Sequence, residues 1–116
     1  MTARDLRCRR HILLTMLTTL AIRYPPGREP ELVRRLRGWL DGWPGIGRIV
    51  LGMTRQGFDV ELTRYAEEGW RATFFPAGRV HSATHAVGSA WEPTPARAVQ
   101  AAAWATLVRA EGRETM

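Results

Sequence analysis

Phe58-Asp-Val-Glu-Leu-Thr-Arg-Tyr65, Gly69-Trp-Arg-Ala-Thr-Phe-Phe-Pro76 and Gly88-Ser-Ala-Trp-Glu-Pro-Thr-Pro-Ala-Arg-Ala-Val-Gln-Ala-Ala-Ala-Trp-Ala-Thr-Leu-Val108 decide the fold of this chain. In the first run Phe58, Val60 and Leu62 alternate with Asp59, Glu61 and Thr63, the pattern of a strand with one buried and one wet face. Ala66-Glu-Glu-Gly69 turns the chain. Trp70, Ala72 and Phe74 then alternate with Arg71, Thr73 and Phe75 until Pro76-Ala-Gly78 ends pairing. Residues 77 to 84 read as loop. Val87, Ser89 and Trp91 alternate with Ala86, Gly88 and Ala90 as a shorter strand at a sheet edge. Thr94 is an N-cap and Pro95 the first residue of a helix. Ala98, Ala101, Ala102, Ala105 and Val108 share one face of that helix, with Trp104 and Leu107 at its borders, and such small residues let its axis approach the sheet. Trp70, Trp91 and Trp104 are expected to form one core cluster.

Upstream, Gly47-Arg-Ile-Val-Leu-Gly-Met-Thr54 is apolar and β-branched and reads as a further strand, with Gln56-Gly57 as a hairpin turn. Before it, Glu29, Pro30 and Glu31 favour a helix start. Leu32, Leu36, Trp39 and Leu40 fall on one face of that helix, opposite Arg34, Arg35 and Arg37, and Gly38, or Gly42 followed by Pro44, closes it. Tyr24-Pro-Pro-Gly-Arg-Glu-Pro30 is a turn-forming linker. Residues 3 to 22 read as a helix opened by a Thr2/Asp5 capping box, with Ile12, Leu13, Met16, Leu17 and Leu20 recurring at three and four. Two other readings of this segment stay open. The basic start, apolar stretch and Thr19-Leu20-Ala21 resemble a signal peptide, and translation beginning at Met16 would remove four arginines. The expected architecture is α+β, an antiparallel three- to four-stranded meander packed on helices in the order α-α-β-β-β-β-α. A basic helix at 1–24 precedes one domain at 25–110 and a polar tail at 111–116.

A chain of 116 residues with 45% apolar side chains can close one small core, which excludes disordered and fibrous classes. Its net charge of +6 is unevenly placed. Residues 1 to 40 carry nine arginines against Asp5, Glu29 and Glu31, whereas residues 41 to 116 balance eight against eight. Attraction to phosphate therefore has to come from the first 40 residues. Lysine is absent, which fits a coding bias as well as it fits phosphate recognition. One cysteine, Cys8, precludes an internal disulfide and points to a reducing, cytoplasmic setting. No stretch is apolar for long enough to span a bilayer.

Residues 58 to 108 resemble the β-β-β-α portion of double-stranded-RNA-binding domains and of HicB-like antitoxins. The first resemblance rests on Gly88-Ser-Ala90 running into Ala98, Ala101-Ala-Ala103 and Leu107; the second rests on Gly69-Trp70, Pro76, Gly78, Thr94 and Ala98. The RNA-binding resemblance implies cations at the start of the last helix, and only Arg97 matches there. The antitoxin resemblance implies inhibition of a protein partner.

No cofactor signature is present. Cys8-x-x-His11 and His81-x-x-x-His85 have ligand-like spacings but no second cysteine pair, so the histidines are expected at the surface beside the edge strand. Ser82 and Ser89 lie near a histidine without a nucleophile elbow. The chain is therefore expected to be a non-catalytic accessory or regulatory protein of phage, plasmid or toxin–antitoxin origin, binding a protein partner through a sheet edge or through Trp39 and Trp43. A homodimer through a sheet edge is compatible. The alternative is a nucleic-acid-binding module using the arginines of residues 1–40. Candidate contact residues are Arg34, Arg35, Arg37, Trp39, Trp43 and Arg97, although a solvated helix face is the more ordinary explanation of the arginine stripe.

Overall fold

The Thr2 hydroxyl accepts a hydrogen bond from the Asp5 amide and the Asp5 carboxylate accepts one from the Thr2 amide, each at 3.1 Å, so helix α1 (Ala3–Ala21) starts at a reciprocal cap. The computed structural model describes residues 2 to 114. It contains α1, α2 (Glu31–Leu40), α3 (Trp43–Arg55), strands β1 (Phe58–Tyr65), β2 (Gly69–Pro76) and β3 (Gly88–Glu92), and α4 (Pro95–Glu114), with a single 3-10 turn at Ala83–His85. The fold is α+β, with four helices and one antiparallel sheet of order β1-β2-β3.

The hairpin pairs Phe58 with Pro76 through Tyr65 with Gly69, and β3 adds along β2 from Trp70–Glu92 to Phe74–Gly88. Gly69 sits at φ +91°, a conformation that costs glycine little and closes the turn. Helix α4 lies over β2 and β3, while α3 packs against β1 and α4. Helix α1 packs on α4 and reaches α2 and α3 as well. Leu13, Leu17 and Leu20 of α1, Leu40 of α2, Ile49 and Met53 of α3, Phe74 of β2 and Val99 and Leu107 of α4 meet in one core.

Residues 47–54 are not a strand. They lie inside α3, where Ile46, Ile49 and Met53 are buried and Val50 is half-buried, a helical period that the short β-branched run Ile49-Val50 conceals. Pro44 does not close the preceding helix; it occupies the first turn of α3, where its missing amide is no loss. Gln56-Gly57 accordingly joins a helix to a strand, and the sheet has three strands, not four.

Two helix faces are rotated from expectation. The buried side of α2 is Val33, Leu36, Arg37 and Leu40, and Leu32 is exposed. In α4 the fully buried positions are Ala98, Val99, Ala102, Ala103, Thr106 and Leu107, so Val108 faces solvent. The expected tryptophan cluster does not form: Trp91 and Trp104 are exposed, and Trp70 packs edge-on against Trp43 at 5.9 Å between centroids. The wet face of β2 is also partly covered, because His81 stacks on Phe75 at 4.3 Å and leaves Phe75 and Thr73 buried. The expected polar tail is helical through Glu114, and its residues 115 and 116 lie outside the described residues.

Candidate partner-binding groove

Helical spacing on two neighbouring elements builds one concave surface. On α1, Arg9, Ile12 and Met16 recur one turn apart; on α3, Arg48, Leu51, Gly52 and Arg55 do the same. Between them runs a groove of about 320 Å³, lined by buried Leu13, Leu40 and Ile49 and by exposed Trp39. Gly52 allows the two helices to come together, since a Cβ there would stand 3.2 Å from Leu13 Cδ2. The apolar rim is open to water, with Ile12 64%, Leu51 52% and Trp39 51% exposed.

The charges around this rim have one sign. Arg9, Arg48 and Arg55 line the groove and no carboxylate does. Arg48 lies over the Trp39 ring, 4.6 Å from its centroid, and its Nη1 donates to the Trp39 carbonyl at 3.4 Å. That contact holds the indole at the groove mouth by cation–π attraction. Among the described residues Arg9, Arg48 and Arg55 form no ion pair. Arg9 lies close enough to Asp5 to help lower its pKa, behind the larger effect of the Thr2 hydrogen bonds.

The six residues singled out from sequence do not form one surface. Arg34 and Arg35 are exposed on α2, where Arg35 pairs with Glu31 at 2.9 Å and Arg34 reaches the Glu29 carbonyl at 3.5 Å. Arg37 is not part of an exposed stripe. Its Nη2 donates to the Leu20 and Ile22 carbonyls at 3.0 Å each and its Nε meets Glu29, which ties α2 to the end of α1. Arg97 pairs with Asp41 at 3.0 Å, and its amide donates to the Thr94 hydroxyl that caps α4. Arg37 and Arg97 line the same crevice as Arg23, but Glu29, Glu92 and Asp41 offset the charge there. Trp39 enters the groove beside Arg48, not beside the arginines of α2, while Trp43 covers Trp70.

On the open face of the sheet, Tyr65 and Trp91 lie 4.7 Å apart with Arg71 over Trp91 at 5.7 Å, and His81 Nδ1 is 3.4 Å from Glu61. This face mixes both charges. Ser82 Oγ is 3.3 Å from His85 Nδ1, but that nitrogen is also 3.1 Å from the Val80 carbonyl oxygen. A ring nitrogen facing a carbonyl carries the proton, so it offers Ser82 no base. Among the described residues no three His, Cys, Asp or Glu side chains converge as metal ligands, and no helix is long and apolar enough to cross a membrane.

Arg48, Leu51 and Arg55 are absent from the contact residues expected from sequence, and Ile12 is expected only as part of the apolar face of the first helix. The available signal was Arg48-x-x-Leu51-Gly52-x-x-Arg55, which is a stripe only if the segment is helical. Comparison with protein-family models, with curated proteins and with solved structures finds no match to this chain in any of the three.

Proposed function

We propose that the chain is a small, non-catalytic accessory protein of the cytoplasm that acts by binding a protein partner, as regulators of phage, plasmid or toxin–antitoxin systems do. The observation that carries this reading is the groove between α1 and α3, where exposed Ile12, Leu51 and Trp39 meet three arginines and no acid. Aromatic and arginine side chains around a desolvatable apolar centre are the composition of protein-interface hot spots. The β-β-β-α resemblance of residues 58 to 108 to HicB-like antitoxins agrees with a protein-binding role but does not supply this surface, which lies on residues 9 to 55.

The second reading, a nucleic-acid-binding module, is favoured by exposed Arg4, Arg7 and Arg9 on the first half of α1 and Arg34 and Arg35 on α2. It is the weaker one because Arg9, Arg48 and Arg55, which form no ion pair among the described residues, border apolar side chains, whereas phosphate contact needs donors along a polar track. The position that the RNA-binding resemblance assigns to phosphate, Arg97, already holds Asp41.

A photo-reactive amino acid placed at position 51, in the groove, and separately at position 91, on the open sheet face, tests the proposal in cells of the source organism. A discrete protein adduct from position 51 supports it. Nucleic acid adducts, or adducts from position 91 alone, contradict it, and a cross-linked second copy at position 91 indicates a homodimer through the sheet edge instead.

A further inference from the structure

Within the protein-binding reading, on which this step rests, we infer that the groove takes an amphipathic α-helix of its partner, apolar along one ridge and acidic on both flanks.

The shape of the groove points to a helix. Its walls are the side-chain faces of α1 and α3, whose backbone groups are bonded within their own helices, and no strand edge borders it. An extended peptide laid there would lose water from its amides and carbonyls and find no backbone partner. A helix brings its own hydrogen bonds and presents only side chains. Arg48 and Arg55 are seven residues apart, about 10 Å along the axis of α3, which matches the i to i+7 reach of two turns on an incoming helix. Its i, i+3 or i+4, and i+7 side chains would sit between Ile12 and Met16 on one wall and Leu51 on the other, with Trp39 also in the lining.

The charge of the groove points to acids on the flanks. Arg9 stands on the α1 wall and Arg48 and Arg55 on the α3 wall, so cations bracket the apolar lining from both sides. A second copy of this chain does not meet the requirement. Among the described residues α1 and α2 each hold one acid, Asp5 and Glu31, α3 holds none, and those of α4, Glu111 and Glu114, lie in its final turn. A bilayer surface would satisfy the arginines but cannot fill a concavity between two helices.

The test displays a library of peptides of about 14 residues, long enough for roughly four turns, against the full-length protein, with the Leu51→Asp variant as counter-selection. Enriched sequences are expected to carry apolar residues at i, i+3 or i+4, and i+7 with Asp or Glu beside them, and to bind as helices by circular dichroism. Their affinity for the Arg48→Glu/Arg55→Glu variant should fall by at least roughly tenfold. Changing the peptide's own acids to lysine should restore binding to that variant and abolish it to the unaltered chain. Because rescue requires a folded variant, it separates charge recognition from unfolding. The inference is overturned by a pool without acidic bias, by peptides that bind extended or tolerate a central proline, by no pool dependent on Leu51, or by Leu51-dependent binding to phosphatidylglycerol vesicles in place of peptides. If position 51 cross-links to a partner segment that is basic or non-helical, this inference fails while the protein-binding reading stands; the absence of any protein adduct sinks both.

Discussion

A Cβ added to Gly88 in β3 would lie 2.3 Å from Thr106 Oγ1 in α4, and 2.7 Å from the Ala102 carbonyl oxygen and the Thr106 amide nitrogen. Strand and helix thus meet almost backbone to backbone, and the Thr106 hydroxyl is turned back onto the Ala102 carbonyl at 2.8 Å. Gly88→Ala is expected to destabilise the fold by about 3 kcal/mol, because a methyl group there must displace main chain and not a flexible side chain. Thr106→Ala in the same molecule should not rescue it, since the Ala102 oxygen and the residue 106 nitrogen stay in place. Urea denaturation of the single and double variants checks both statements.

Arg35 and Arg37 are neighbours in sequence with opposite roles. Arg35→Ala removes an exposed pair with Glu31 and should change stability by no more than about 0.5 kcal/mol. Arg37→Ala leaves the Leu20 and Ile22 carbonyls without their shared donor and the Glu29 carboxylate without its ion-pair partner, and should cost about 2 kcal/mol. Equal effects in denaturant titrations would show that α2 is not fastened to α1 in this way.

Helices α1 and α4 are joined across 101 residues by the Arg10 Nε to Glu111 Oε1 contact at 2.8 Å, in which Arg10 is buried. Glu111→Ala removes a charge-assisted hydrogen bond from that buried guanidinium at the helix interface and is expected to cost about 2 kcal/mol. The loss should concentrate in α1 and the last turns of α4, where amide hydrogen exchange would quicken before it does in β2.

The Asp5 carboxyl is held below the ordinary carboxylate range chiefly by the Thr2 side-chain hydrogen bond, then by the Thr2 amide, with Arg9 adding attraction. A depressed folded-state pKa means that the cap's contribution is complete above the unfolded value and is lost as pH falls through the folded one. Thr2→Ala should raise the Asp5 pKa toward normal in a carboxyl NMR titration and move the acid fraying of α1 to higher pH. An unchanged Asp5 titration would mean that the cap does not persist in solution.

Much of the fold was legible because its signals are local. The Thr2/Asp5 box, the alternation along Phe58–Tyr65 and Gly69–Pro76 and the Thr94-Pro95 helix start each depend on neighbours in sequence. The reading failed where tertiary burial overrode propensity. Ile49-Val50-Leu51 looks like strand, yet burial of Ile46, Ile49 and Met53 against α1, α4 and β1 selects a helix. That single error hid the groove, since on a strand Arg48 would share a face with Val50 and Gly52, not with Leu51 and Arg55. Arg37 was misjudged for a similar reason: composition marks it as a cation, and only the position of Leu20 and Ile22 shows that it is spoken for.

Two variants compared in one binding assay decide whether the groove or the exposed Arg34 and Arg35 of α2 make the functional contact. The ligand is the macromolecule, protein or nucleic acid, that the unaltered chain retains from source-cell extract at physiological salt, measured against Leu51→Asp and against Arg34→Glu/Arg35→Glu. Leu51→Asp should abolish retention of a protein while the double variant retains it. Loss of a nucleic acid by the double variant, with Leu51→Asp unaffected, would contradict the account.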